Sequence, residues 1–194
     1  FVPNNDGSYH GKVLRYDTTG NFDSSFSWSA YNAGSTDGLT TKGYAGAVSD
    51  GRYIYFVPYR DGSSSWHGRV LRYDTTGDFD SSSSWSAYNA GDIGGMNTKG
   101  YYGAVSDGRY IYFVPYRDGS SSFHGRVLRY DTAGSFGSSS SWSAYNAGST
   151  DGMTTKGYGA AVSDGRYVYF VPNYDGSSHH GRVLRYDTTG SFDS

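Results

Sequence analysis

FVPYRDGSSSWHGRVLRYDTTGDFDSSSSWSAYNAG, residues 56–91, recurs almost verbatim along the chain, with its leading Phe at Phe1, Phe56, Phe113 and Phe170. Successive copies are offset by 55, 57 and 57 residues, so the 194-residue chain is a single tandem array. Every motif in it is one of a set. The array divides into a partial repeat at 1–42, whole repeats at 43–99 and 100–156, and a final partial repeat at 157–194.

One period carries four strand signals. In the third copy, Tyr101 to Val105 predicts a short strand A that ends at the turn residues Ser106-Asp107-Gly108. Arg109 to Tyr116 is dense in β-branched and aromatic residues and predicts strand B, closed by Pro115 and Asp118-Gly119. Arg126 to Thr132 predicts strand C, and SSWSAYNAG, with Trp142 and Tyr145, predicts strand D ahead of a Gly-rich connection through Gly148 and Gly152.

Composition agrees with an all-β chain. There are 21 Tyr, 10 Phe and 4 Trp beside 29 Gly and only 2 Met, and all 18 acidic residues are Asp, with no Glu or Gln to furnish a helix surface. Four short antiparallel strands at a fixed spacing predict the blade of a β-propeller. A period of about 57 residues is too long for the coils of a β-solenoid, whose repeats run nearer ~20–30.

The run AVSDGRYIYFVPY, then HGRVLRYDT, then Trp142, resembles a kelch repeat: an apolar strand, an Asp-Gly turn, an Ile-Tyr strand, a strand ending in Tyr-Asp, and a Trp. The family's glycine pair after the second strand is replaced here by Val-Pro (Val57-Pro58, Val114-Pro115). The resemblance implies a propeller used as a binding platform or, in copper oxidases, as an enzyme scaffold. That copper chemistry wants a Cys joined to a Tyr, and this chain has no Cys.

The order B-C followed by D-A-B-C three times predicts fourteen strands, including a B-C hairpin from Phe1 to Thr18. About 3.5 repeats make an incomplete ring, so self-association or continuation in a longer chain is expected. The first residue falls inside a strand-like segment, which suggests an excised or mature piece of something longer.

Charge and targeting signals exclude several classes. A net charge of −2 with dispersed basic residues gives no footprint for nucleic acid. No apolar run approaches the ~18 residues of a membrane span, and no signal peptide opens the chain, so no membrane insertion is expected. A secreted or cell-surface location is expected.

Alternating strand directions put the A-B turns and C-D links at one end of the blades and the longer B-C and D-A loops at the other. The copies differ most in those longer loops, whereas VLRYDT is unvaried in all four. The candidate ligand-binding residues therefore lie in the B-C loops: Tyr59, Arg60, Asp61, Trp66 and His67, repeated as Tyr116, Arg117, Asp118, Phe123 and His124. Trp66 beside Arg60 and Asp61 on a loop is a set that stacks on a sugar and hydrogen-bonds its hydroxyls. These residues are expected near Lys42 or Lys99.

Other residues have plainer readings. His10, His67, His124 and His180 recur once per repeat and are expected to tether loops, not to bind metal. Arg15/Asp17, Arg72/Asp74, Arg129/Asp131 and Arg185/Asp187 lie two apart on a strand, share a face and predict salt bridges within or between blades. Trp28, Trp85 and Trp142 are expected to pack between blades. Each DGSSS loop carries one Asp, against the roughly 6 to 8 oxygens that calcium takes. No cofactor is expected, and neither a Glu pair nor a nucleophile elbow is present. The resulting expectation is a non-catalytic, multivalent binding or structural module. A glycan-binding lectin-like propeller and a polysaccharide hydrolase or lyase domain are the alternatives.

Overall fold

The computed structural model describes residues 1–120 and 122–192. Its longer strands are β1 (Lys12–Tyr16), β2 (Trp28–Asn32), β3 (Tyr44–Ser49), β4 (Tyr53–Pro58), β5 (Arg69–Asp74), β6 (Trp85–Asn89) and β7 (Tyr101–Ser106). They continue as β8 (Tyr110–Pro115), β9 (Arg126–Asp131), β10 (Trp142–Asn146), β11 (Tyr158–Ser163), β12 (Tyr167–Pro172) and β13 (Leu184–Asp187). The sheets are β1-β2, β3-β4-β5-β6, β7-β8-β9-β10 and β11-β12-β13, all antiparallel. The chain is an all-β propeller arc of four-stranded blades whose ring is not closed.

The seam differs from the sequence expectation. No Phe1–Thr18 hairpin forms a unit; β1 pairs instead with β2, as Val13↔Tyr31 and Tyr16↔Trp28. Phe1 holds the position of strand B, its ammonium donating to the Leu14 carbonyl at 2.7 Å, but three residues are too few to register as a strand. Thirteen longer strands therefore stand among the described residues where fourteen were expected.

The two complete blades, β3-β4-β5-β6 and β7-β8-β9-β10, are apolar on both faces because a neighbour covers each. In β4, Tyr55 and Val57 pack toward the next blade with Tyr101, Ile111, Phe113 and Leu128. The alternate residue, Phe56, packs toward the preceding one with Val13 and Tyr44. Period-two alternation thus selects the neighbouring blade instead of separating core from solvent.

Indoles lock the blades together. Trp85 and Trp142 are buried, and each donates Nε1–H to a carbonyl, of Phe79 or Phe136, at 3.0 Å. Tyr31 and Tyr88 of the preceding sheets stack on them at 5.1 Å and 13°. The buried Phe79 and Phe136 complete each cluster.

The innermost strands β3, β7 and β11 run side by side around the axis. Space there is short: a Cβ on Gly103 would lie 3.6 Å from the Ala160 Cα. Each inner strand also has a register shift, between Tyr44/Gly46, Tyr101/Gly103 and Tyr158/Ala160, which leaves Ala45, Tyr102 and Gly159 as the bulged residues.

The Arg/Asp pairs divide their roles. Asp74 and Asp131 pair within the blade with Arg52 and Arg109, at 2.8 and 3.0 Å. Arg72 does not pair with Asp74. Its guanidinium lies over the rings of Tyr53 and Phe136, 4.3 and 4.2 Å from their centroids, which ties one blade to the next.

Candidate functional site

The loops after strands B and D lie at one end of the blades, opposite the Asp50, Asp107 and Asp164 turns. Histidine tethers them to each other. His67 Nδ1 accepts from the Arg69 amide at 3.2 Å, so this nitrogen is unprotonated and Nε2–H donates to the Lys42 carbonyl at 2.8 Å. His124 repeats the pattern with Arg126 and Lys99, and His180 with Arg182 and Lys156. Burial, assisted by the Arg69 or Arg126 charge, pushes the His67 and His124 imidazoles down from the ordinary 6.5 to about 4. These side chains are neutral, satisfied struts. Among the described residues, no group of three or more His, Cys, Asp or Glu is placed to hold a metal ion.

The aspartates of the candidate site are engaged as well. Asp61 pairs with Arg69, and Asp118 with Arg126, each pair largely buried. Asp118 also accepts from Asn97 Nδ2 at 2.8 Å, and Arg126 Nε donates to the Asn97 carbonyl at 2.6 Å. The carboxylates expected to face a ligand thus fasten the B-C loop to the D-A loop.

Trp66 is only 8% exposed, so its indole offers no open face to solvent. It is instead one rung of a ladder in which rings and guanidinium groups alternate between blades. Arg60 lies over Tyr9 and Trp66 at 5.5 and 5.7 Å, and Arg117 lies over Trp66 and Phe123 at 5.5 and 5.9 Å. The ladder continues without a cation, since Tyr174 occupies the arginine position and meets Phe123 and His179 at 5.2 and 5.3 Å. Tyr9, Trp66, Phe123 and His179 are the same position in four copies, and every copy supplies a ring.

Toward the axis the ladder opens into an asymmetric patch. Tyr59 and Tyr116 come together with Tyr102 at 5.7 and 4.8 Å, and Arg117 Nε donates to the Tyr59 hydroxyl at 3.3 Å. Tyr102 is 42% exposed. Its bulge position aims it away from the crowded axis and onto this loop face, a common use of bulges at binding sites. Burial and the neighbouring Tyr59 and Tyr102 hydroxyls raise the Tyr116 pKa, while Arg117 opposes the rise.

The structure therefore divides the ten candidate residues. Tyr59, Tyr116 and Arg117 border an open patch, with Arg60 beside them in the ladder. Asp61, Trp66, His67, Asp118 and His124 brace the loops, and Phe123 is a rung. Tyr102 was missed because the A strand reads as scaffold. Its signal is that Ala45, Tyr102 and Gly159 differ in size at one position of an otherwise small-residue strand.

Comparison with curated proteins found no match. Residues 1–26 match a family model described as a domain of unknown function (DUF5122) beta-propeller, which is similar in fold class to the arc described above.

Proposed function

We propose that this chain is a non-catalytic binding module whose loop face holds carbohydrate on the Tyr59, Tyr102 and Tyr116 patch. The observation that carries this reading is the exposed Tyr102 ring, standing on a bulge in an otherwise small-residue strand beside two more tyrosines and Arg117. Rings of this kind stack on the C–H face of a pyranose, while phenol hydroxyls and a guanidinium hydrogen-bond its edge. The non-catalytic part is supported by the state of the carboxylates. Asp50 and Asp107 accept from turn amides and a Tyr hydroxyl, and Asp61, Asp74, Asp118 and Asp131 are paired with arginines. The patch itself forms once in the chain, since Ala45 and Gly159 stand at the Tyr102 position, and avidity would come from weaker contacts of the loop face repeated in the other blades.

Kelch-like kinship belongs to the same proposal. It is supported by the Asp-Gly turn after the inner strand, the Tyr-Asp close of the third strand and the packed Trp of the fourth.

Tyr102→Ala tests the reading without disturbing the fold, because a sister repeat carries Ala45 at that position. Retention on a panel of immobilised polysaccharides should fall about tenfold or more for the variant, equivalent to ~1.4 kcal/mol or more. Unchanged retention, or no retention of the parent on any member of the panel, defeats the proposal.

A further inference from the structure

The charges of each whole repeat sort by end. At the loop end of residues 43–99 stand Arg60, Arg69 and Lys99 against Asp61 and Asp92. At the loop end of residues 100–156 stand Arg117, Arg126 and Lys156 against Asp118 and Asp151. The opposite end reverses or levels the balance, with Arg52 and Arg72 against Asp50, Asp74, Asp78 and Asp80 in the first of these repeats, and Arg109 and Arg129 against Asp107 and Asp131 in the second. A chain whose net charge is −2 thus presents a loop face on which cations outnumber acids in every whole repeat.

Ion pairing sharpens that excess beside the tyrosine patch. Asp61 is taken by Arg69 and Asp118 by Arg126, and the exposed Asp92 and Asp151 stand apart in the D-A loops. Among the described residues, no carboxylate pairs with Arg60 or Arg117. Both guanidinium groups nonetheless lie over one indole, that of Trp66, at 5.7 and 5.5 Å. Two like charges on one ring repel each other, and an anion from outside relieves them. Their donors are under-used as well. Arg60 Nε is buried with no hydrogen-bond partner. Arg117 makes two long bonds, from Nε to the Tyr59 hydroxyl at 3.3 Å and from Nη1 to the Ser120 carbonyl at 3.4 Å, neither of which uses Nη2. Tyr116, kept protonated by burial, adds an O–H donor beside them.

We propose that the polysaccharide held at the Tyr59, Tyr102 and Tyr116 patch is anionic, with a carboxylate or sulfate group of the sugar docked on Arg117 and Arg60. This rests on the carbohydrate reading above and narrows it. A planar guanidinium donates in a fork to two oxygens of such a group, whereas the hydroxyls of a neutral sugar leave both positive charges uncompensated. The tyrosine rings take the C–H face of the sugar, and its acid group lies at the edge where Arg117 stands. This junction alone combines the parts, because Asn5 and Tyr174 occupy the arginine position in the first and fourth copies, and Ala45 and Gly159 replace Tyr102.

Paired probes isolate the charge. Polygalacturonate against its methyl ester, and dextran sulfate against dextran, keep the sugar rings and mask or remove the acid group. Equilibrium binding to the whole chain at low salt should favour at least one acid form over its neutral partner by about tenfold or more. That preference should shrink severalfold at about 0.5 M NaCl, where charges are strongly screened. The pair that shows it distinguishes carboxylate from sulfate. Arg117→Asn, the residue that the first copy carries as Asn5, should cut the preference to less than about threefold, and Arg117→Lys should keep more of it, since a point charge survives without the fork. Tyr102→Ala should weaken acid and neutral forms alike. Equal binding of acid and neutral forms, both weakened by Tyr102→Ala, overturns the anionic inference and leaves the carbohydrate reading standing. An Arg117→Asn variant with the parent's preference, or an oligonucleotide bound more tightly than either acid polysaccharide, overturns it too. No binding of any of the four probes also overturns it, while the wider polysaccharide panel decides the carbohydrate reading separately.

Discussion

Acid should weaken this protein in two separable stages, and the first belongs to His67 and His124. Both imidazoles are neutral in the folded chain, with pKa values near 4 against 6.5 when solvated. Because the folded value is the lower one, the unfolded chain takes up these protons first. The sites therefore have no effect on stability above pH 6.5, and the folded state loses ground as the pH falls from 6.5 toward 4. A difference of about 2.5 units corresponds to roughly 3 kcal/mol for each histidine once the full window is crossed. Two sites titrating together would give a limiting slope near ~2.7 kcal/mol per pH unit. The depressed carboxylates, held low by hydrogen bonds to Arg, Ser and Thr partners, titrate below their ordinary 3.8, so their loss falls in a second, more acidic window. Urea midpoints measured every half unit from pH 7.5 to 4.5 should fall steadily below pH 6.5. His124→Gln, which removes one of the two protons, should roughly halve the slope. Nitrogen-15 spectra at pH 7 should show both rings protonated at Nε2. A flat stability profile across that range, or imidazoles that titrate near 6.5 in the folded protein, would refute the account of these residues as buried neutral struts.

Other consequences are equally direct. Trp85→Ala removes a buried indole that touches two blades, and denaturant unfolding should show a loss of roughly 3–5 kcal/mol. A loss below ~1 kcal/mol would mean that the indoles do not lock the arc. Gly125→Ala would place a Cβ 2.3 Å from the Thr155 carbonyl oxygen and 2.5 Å from the Gly148 Cα, both backbone atoms that cannot step aside. It should cost about 3 kcal/mol or more, and a variant as stable as the parent would contradict the close approach of the B-C and D-A loops. Ser86→Ala, which removes the hydroxyl that accepts from Arg72 Nε at 3.0 Å, should cost only ~1 kcal/mol in the same assay, because the guanidinium keeps its two ring contacts.

The blades were legible because the repeat announces itself and because each strand is bounded by turn residues. Asp107-Gly108, Pro115 and Ala133-Gly134 mark ends that the strands respect within one or two residues. What escaped the sequence concerns partners, which periodicity does not name. The Asp of each Arg-x-Asp pair was visible, but its partner Arg52 lies a full strand away, and only the B-C register brings the two together. Trp66 looked like a platform because it sits in a loop. Its burial depends on Arg60 and Arg117 closing over it from two blades, which a single repeat cannot show. Tyr102 was hidden for the opposite reason: it lies in a strand, and only the bulge turns it outward.

The central claim is that ligand contacts the loop face at Tyr59, Tyr102 and Tyr116. Spectra of the protein with labelled tyrosine rings, recorded during titration with a polysaccharide that the chain retains, test it most directly. The account predicts shifts confined to those three residues, with Tyr53, Tyr110 and Tyr167 at the opposite end unmoved. Shifts at the opposite end, or saturable binding that leaves Tyr102 unperturbed, would contradict it.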